Sequence, residues 1–315
     1  MTGAAAAWFC WGLLAAFLGA ELFVRSSASL AARLGIPPVV IGLTVVAWGT
    51  SAPELVVSLR AATAGDGAIA LGNVVGSNIF NVGFILGLAA IVHPLKVALR
   101  LVRFDAPFLV GVTLLFCLLY GRTPLSRAGG AALLAVFAAH VWLTLREARR
   151  ERPPGVEEAF RRETPSGSAP VWLAAIGLVA GLALLVYGGQ VLVRQAVVLA
   201  RETGISERVI ALTIVAAGTS SPELLTSVVA AWHRHADMAV GNIIGSNIFN
   251  LAAILGLSAV IDPIAAGGLQ PLDLVVLTVS ALVLLPLMRT GLIIRRWEGV
   301  VLLTGFAVYA VALLV

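Results

Sequence analysis

Charged residues are scarce in this 315-residue chain: Asp, Glu, Lys and Arg make up 12% of it, while 60% of the residues are hydrophobic. The mean hydropathy is +1.01. Soluble domains carry about 25% charged residues, so this composition excludes an ordinary soluble protein and indicates an integral membrane protein. The chain has only two cysteines, Cys10 and Cys117, and both lie in apolar runs, where they predict neither a disulfide framework nor a redox motif.

Histidine is also rare, with four residues, and the chain has no His-Glu-x-x-His motif. An intramembrane enzyme would need a nucleophile or a metal set, so we expect no enzymatic activity and no cofactor. The net charge of +5 could suggest nucleic-acid binding. The basic residues instead follow membrane topology, so the partner we expect from them is the lipid bilayer, with neither nucleic acid nor a protein partner.

The apolar residues form ten runs long enough to cross a bilayer, which takes about 17–25 residues. With the N terminus outside, the predicted inside segments hold 15 of the 21 Lys and Arg residues. The positive-inside rule therefore predicts a multi-pass membrane protein with both termini outside. The runs lie at 4–24, 38–60, 69–92, 105–121, 125–145, 171–199, 207–232, 238–262, 271–288 and 297–315.

One long segment occurs twice, 169 residues apart. Residues 40–94 align without a gap onto residues 209–263 and are identical at 30 of 55 positions. Five predicted spans separate equivalent points, and an odd number means that the second copy enters the membrane in the opposite orientation. We therefore predict an all-α integral membrane protein of ten transmembrane helices in two inverted five-helix repeats, 1–145 and 171–315, joined by a cytoplasmic linker at 146–170.

Each repeat places one glutamate, Glu54 or Glu223, inside an apolar stretch. A carboxylate at bilayer depth costs about 2.5–3.5 kcal/mol, so its presence in both repeats indicates a site that the two repeats build together. Pro53 has no N–H, and its ring clashes with the carbonyl of Gly49, which predicts that helix 2 is broken; Pro222 predicts the same for helix 7. The freed carbonyls can then line an ion site.

Polar side chains recur at helical spacing around both glutamates, so four helices can turn polar faces towards one point. Carboxylate, amide, hydroxyl and backbone oxygens suit a hard cation such as Ca²⁺ or Na⁺ and disfavour zinc or copper. The faces consist of Ala47, Thr50, Ser51, Glu54 and Ser58 on helix 2, Asn73, Ser77 and Asn81 on helix 3, and Asn242, Ser246 and Asn250 on helix 8.

Other residues of these segments are expected to serve packing. The Gly72-x-x-x-Gly76 and Gly241-x-x-x-Gly245 motifs predict close helix contacts, and Asn78 and Asn247 are expected to make hydrogen bonds between helices. Asp105 lies near a predicted helix end, where it would cap the helix or face the interface. His140 is unrepeated and is expected to make a helix contact.

These motifs resemble those of the sodium/calcium exchanger family of the cation/calcium antiporter superfamily. The resemblance rests on Gly-Thr-Ser-x-Pro-Glu at 49–54 and 218–223, and on Gly-Asn-x-x-Gly-Ser-Asn-Ile-Phe-Asn at 72–81 and 241–250. It implies antiport of sodium and calcium by alternating access, with helices 2, 3, 7 and 8 forming the ion core and helices 1 and 6 sliding against it.

The resemblance also implies a role for each matching residue. Glu54 and Glu223 would be the central carboxylates, with Asn81 and Asn250 beside them. The remaining oxygen donors would be the side chains of Thr50, Thr219, Ser77 and Ser246 and the carbonyls near Ala47 and Ala216. Ser51 and Ser220 belong to the same motifs and complete the predicted set.

Two alternatives remain open at this point. Several family members carry Asp where this chain has Asn250, and in the potassium-dependent branch that Asp is tied to potassium use. The symmetric Asn favours potassium-independent exchange. A desolvated glutamate can also carry protons, so proton/calcium antiport is the nearest rival.

Overall fold

The computed structural model describes residues 2–120, 124–150, 171–202, 216–265 and 268–313. Within these ranges the chain is almost entirely helical, with one two-stranded antiparallel sheet, β1 (Leu95–Lys96) with β2 (Ile293–Ile294). The helices, numbered in chain order, are α1 Thr2–Leu34, α2 Pro38–Thr50, α3 Ala52–Thr63, α4 Gly67–Val92, α5 Leu101–Tyr120, α6 Arg127–Arg150, α7 Val171–Glu202, α8 Ala216–Thr219, α9 Ser221–Trp232, α10 Ala236–Ile261, α11 Pro271–Arg289 and α12 Arg296–Ala312.

Seven of the described helices are long and apolar enough to cross a membrane, or eight if the pair α2/α3 is one bent span. This confirms an α-helical membrane protein. The tenth predicted span is α12, which has 17 residues, and the seventh begins outside the described residues, so the count of ten stays a prediction.

Helices α1 and α6 extend furthest beyond the apolar runs predicted from the sequence. Helix α1 continues to Leu34, ten residues beyond the predicted end of the first span, because no helix breaker interrupts it before Gly35. Helix α6 continues through the first five residues of the predicted linker to Arg150, and the rest of that linker, 151–170, lies outside the described residues.

Helices α1 and α7 pack closely against each other, and glycines make this approach possible. A Cβ built at Gly12 would lie 2.6 Å from Leu192 N, and one at Gly181 would lie 2.6 Å from Phe23 N. Gly12 and Gly181 are 169 residues apart, so equivalent glycines of the two repeats allow this close approach. No larger residue fits at either place without separating the helices.

The predicted close contact is confirmed for Gly241 and Gly245 but was wrong for Gly72 and Gly76, which are exposed and where an added Cβ would meet no described atom within 4 Å. A Cβ at Gly245 would lie 2.5 Å from Leu43 O, and one at Gly241 would lie 3.0 Å from Val39 O. Helix α10 therefore lies directly against the backbone of α2. This contact brings the polar residues Asn242, Ser246 and Asn250 of the second repeat towards α2 of the first.

Further contacts occur once in each repeat at the same offset of 169 residues. Phe137 of α6 packs edge to face on Phe249 with ring centroids 5.6 Å apart, and Phe306 of α12 packs on Phe80 in the same way at 5.4 Å. The outer helices α6 and α12 thus hold equivalent positions beside α10 and α4.

The expectation for Asp105 was wrong. Its side chain is fully buried in α5, where it accepts hydrogen bonds from Arg100 Nε at 3.2 Å and from His140 Nε2 of α6 at 3.1 Å, since burial of a carboxylate requires polar partners. The predicted helix contact of His140 is confirmed by the same hydrogen bond.

Candidate ion-binding site

Each repeated glutamate lies three residues after a serine that separates two helical segments. The chain leaves helical geometry at Ser51 and again at Ser220, and each proline of the motif then occupies the first turn of the next helix, where its missing N–H costs nothing. Helices α2 and α3 meet at a bend of 48°. Glu54 and Glu223 follow directly, in the first turns of α3 and α9, where the positive end of the helix dipole favours a carboxylate.

The two carboxylates are fully buried. Among the described residues no Lys, Arg or His forms an ion pair with either of them. A buried charge without a counter-charge is costly, so this pair requires cations or protons from solution.

Serines join the carboxylates across the repeats. Ser51 Oγ donates to Glu223 Oε1 at 2.8 Å, and Ser220 Oγ donates to Glu54 Oε1 at 2.9 Å. Each serine sits at the interruption of its own helix and reaches the glutamate of the other repeat. The site is thus assembled from both repeats.

A second set of crossed contacts lies beside the first. Thr50 Oγ1 donates to Asn242 Oδ1 at 3.2 Å, and Thr219 Oγ1 donates to Asn73 Oδ1 at 3.5 Å. The amide groups of these asparagines donate in turn to a serine of their own repeat, Asn73 to Ser58 at 3.0 Å and Asn242 to Ser227 at 2.9 Å. These bonds fix the threonine hydroxyls against the neighbouring helices.

Ser77 of α4 and its repeat equivalent Ser246 of α10 make different contacts. Ser77 Oγ lies 3.5 Å from Glu54 Oε1 and 3.1 Å from Ser220 Oγ. Ser246 Oγ donates instead to Ala47 O at 3.3 Å. The Ala47 carbonyl therefore points into the site, whereas the equivalent Ala216 is the first described residue after a gap and stays a prediction.

Four asparagines form a layer next to the glutamates. Asn78 and Asn247 each donate to the other's backbone carbonyl at 3.2 Å, which confirms their predicted role between helices. Their side-chain oxygens accept from Asn81 and Asn250: Asn81 Nδ2 donates to Asn247 Oδ1 at 2.9 Å, and Asn250 Nδ2 donates to Asn78 Oδ1 at 3.1 Å. These bonds orient the amides, so the Oδ1 atoms of Asn81 and Asn250 are left as acceptors.

Four buried acceptor oxygens of this region have no donor within the described part of the chain: Glu54 Oε2, Glu223 Oε2, Asn81 Oδ1 and Asn250 Oδ1. They form two pairs related by the repeat, and all four residues are fully buried. Buried acceptors are normally satisfied, so a set of four that recurs by symmetry calls for a positively charged or donating group.

The two equivalent threonines of the site differ in their exposure. A cavity of about 250 Å³ is lined by Thr219 and by Pro53 and Pro222, the residues that precede the glutamates. Thr219 is partly exposed, whereas its repeat equivalent Thr50 is fully buried. The approach from the side of α7 is therefore open in this conformation.

Most of the predicted residues meet at this place, and the structure adds Asn73 and Asn242 as partners of the threonines. Both asparagines belong to the series of polar residues spaced four apart on the predicted helices 3 and 8, so the sequence did indicate them. Spacing alone could not show that their side-chain oxygens contact threonines of the other repeat. Glu21 and His233, joined at 2.6 Å between α1 and the end of α9, form a contact that no motif indicated.

Comparison with known proteins assigns the chain to a family. The sodium/calcium exchanger protein family matches residues 4–146 and 173–315, two segments offset by the same 169 residues. The chain belongs to the sodium/calcium exchanger family. That family consists of cation/calcium antiporters of the membrane, and its transported ions are sodium and calcium.

Similar proteins cover nearly the whole exchanger. The chain is 40% identical to the putative antiporter CaxA of Alkalimonas amylolytica, over 95% of each chain. It is 37% identical to the inner membrane protein YrbG of Escherichia coli (strain K12), over 95% of this chain and 93% of that protein. Its fold matches the sodium-calcium exchanger NCX_Mj soaked without sodium or calcium, with a TM-score of 0.85 and 29% identity over 99% of this chain and 100% of the other.

Proposed function

We propose that this protein exchanges sodium ions for calcium by alternating access, with the ions held between the two repeats. The observation that carries the proposal is the symmetric set of four unpaired acceptors, Glu54 Oε2, Glu223 Oε2, Asn81 Oδ1 and Asn250 Oδ1. The hydroxyls of the crossed serines and threonines and the Ala47 carbonyl lie beside them. Such a set offers the six to eight oxygens that Ca²⁺ takes, and Na⁺ accepts the same donor type.

The charge of the site bears on stoichiometry. Two glutamates give a formal charge of −2, which one Ca²⁺ neutralises and three Na⁺ exceed by +1. Exchange of three sodium ions for one calcium ion would therefore move net charge across the membrane. Calcium entry coupled to sodium exit would then be accelerated by an inside-positive potential.

Alternating access is supported by the unequal exposure of equivalent residues. Thr219 lines a cavity while Thr50 is buried. If the two repeats exchange conformations, Thr50 becomes the exposed residue and the site opens to the other side. The close packing of α1 on α7 suits helices that slide as one unit. On the positive-inside rule the open side is the outside, in a cytoplasmic membrane with both termini outside.

The test is calcium uptake into proteoliposomes under an imposed sodium gradient, compared with an imposed proton gradient and with potassium present or absent. We expect uptake with the sodium gradient alone. Glu54→Gln and Glu223→Gln should each abolish uptake while the protein still folds, because each removes half of the charge that binds calcium. Glu202→Gln, an exposed change of the same type at the end of α7, is the matched control and should transport normally.

Proton/calcium antiport is the second candidate. The absence of a basic partner for either buried glutamate within the described ranges favours it, since protons could also neutralise the pair. Uptake driven by the proton gradient without sodium would establish this alternative and overturn sodium coupling. Normal sodium-driven uptake by either glutamine variant would remove that glutamate from the site.

A further inference from the structure

Two arginines occupy equivalent positions in the repeats but have different surroundings. Arg25 of α1 forms an ion pair with Glu21 at 2.5 Å, one turn earlier in the same helix. Its equivalent on α7 is Arg194, and the residue one turn before Arg194 is Gln190. Arg194 is exposed and forms no hydrogen bond or ion pair with a described residue. The charge of Arg25 is therefore compensated by an adjacent carboxylate, whereas no described residue compensates the charge of Arg194.

Arg194 also lies on the open approach to the candidate ion site. It lines the 250 Å³ cavity together with Gln190, Thr219 and the two prolines that precede the buried glutamates. A cation that reaches Thr219 from this side passes close to the guanidinium. A positive charge beside a path for cations repels every cation that enters. The presence of Arg194 at this position therefore needs an explanation other than solvation of the end of α7.

We propose that Arg194 is a specificity-determining residue that disfavours divalent relative to monovalent cations at this open side. The inference rests on the proposed sodium/calcium exchange. The Coulomb energy between a fixed charge and an ion is proportional to the charge of the ion, so at the same position Ca²⁺ is repelled twice as strongly as Na⁺. Arg194 thereby lowers the apparent affinity for calcium more than that for sodium on one side of the membrane.

The side of α1 lacks this repulsion, because Glu21 neutralises Arg25 and also contacts His233 at 2.6 Å. The two sides of an otherwise symmetric protein would thus differ in their relative affinity for the two ions. Calcium release and sodium entry are favoured at the side of Arg194.

The proposal predicts a relation between the changes in half-saturating sodium and calcium concentration that does not depend on the distance between Arg194 and the ion. If removing the charge changes the half-saturating sodium concentration by some factor, the calcium value must change by the square of that factor. For an ion about 8 Å away in water at low ionic strength, the factors are about 2.4-fold for Na⁺ and about 6-fold for Ca²⁺. Raised ionic strength should abolish both effects, because the Debye length falls to about 3 Å at 1 M.

The experiment measures half-saturating Ca²⁺ and Na⁺ at each side, using right-side-out and inside-out membrane vesicles that contain native protein or a variant. Arg194→Gln should lower both values at the side of the cavity, calcium by the square of the sodium factor. Arg194→Lys should behave as native, and Arg194→Glu should lower both values further. Arg25→Gln, the repeat-related control, should leave the values at the cavity side unchanged.

Equal factors for the two ions, or effects that persist at about 1 M salt, would show that Arg194 acts through packing and would overturn the inference. Unchanged values in Arg194→Gln would do the same while native exchange still stood. A native protein without sodium-dependent calcium uptake would instead contradict the proposed function, so the two failures are distinguishable.

Discussion

The crossed serines provide the sharpest test of a site that both repeats share. Ser51→Ala removes the 2.8 Å hydrogen bond to Glu223, and Ser220→Ala removes the 2.9 Å hydrogen bond to Glu54. Neither serine hydroxyl hydrogen-bonds the glutamate of its own repeat among the described residues. If the ions are held between the repeats, each substitution should weaken calcium binding by disturbing the glutamate of the opposite repeat.

The magnitude follows from the type of bond. A hydrogen bond to a charged group contributes about 1.5–3 kcal/mol, and loss of a group that orients a metal ligand lowers affinity about 10–100-fold. The two estimates agree, because a tenfold change in affinity corresponds to about 1.4 kcal/mol. Since the two bonds differ by 0.1 Å in length, the two variants should have calcium affinities within about threefold of each other.

Calcium titration of the purified protein by calorimetry in sodium-free buffer measures these affinities. The control is Ser280→Ala on α11, whose hydroxyl bonds at 2.7 Å to Leu277 O of its own helix and should leave calcium affinity unchanged. Native affinity in either site variant, or a loss confined to one of them, would refute a site built symmetrically from both repeats.

Three further substitutions test the packing around the site by thermal unfolding in detergent. Gly12→Ala should destabilise the protein by about 1–3 kcal/mol, because the new Cβ meets the α7 backbone, whereas Gly305→Ala, with open space around it among the described residues, should be neutral or stabilising; equal effects would contradict this packing. Asp105→Ala should cost about 1–3 kcal/mol by removing the acceptor of the Arg100 and His140 hydrogen bonds, since Arg100 keeps Glu147 at 3.6 Å as a second partner, and no measurable loss would show that these bonds are not maintained. Glu21→Gln and His233→Ala should be non-additive by about 0.5–1.5 kcal/mol, and strict additivity would show that their contact is absent.

Most residues of the candidate site belong to the two repeated segments of the sequence. The repeat indicated that Glu54 and Glu223 belong together, and the four-residue stripes indicated which faces of α4 and α10 turn inward. Both signals are local: helical spacing places residues on one face, and a carboxylate in an apolar run requires a partner wherever the fold brings one. The family resemblance added the expectation that these faces bind ions.

Contacts between the two repeats could not be predicted from the sequence in the same way. Ser51 and Glu223 are 172 residues apart, and nothing in either motif states that a serine bonds the glutamate of the other copy and not its own. The burial of Asp105 also escaped prediction. Its partner His140 lies on a different helix, and a position near a helix end is equally compatible with the surface.

The sequence by itself determined the membrane-spanning character, the internal repeat and the identity of the polar residues that face inward, because apolar length and helical period depend only on neighbours along the chain. The tertiary structure decided the rest. Glycine contacts at Gly12, Gly181 and Gly245 set how closely the helices approach and in which register, and that register selects the crossed hydrogen bonds. The packing of the helices also left Thr219 partly exposed and Thr50 buried, a difference that two nearly identical motifs cannot encode, because it depends on which residues of distant segments surround each threonine.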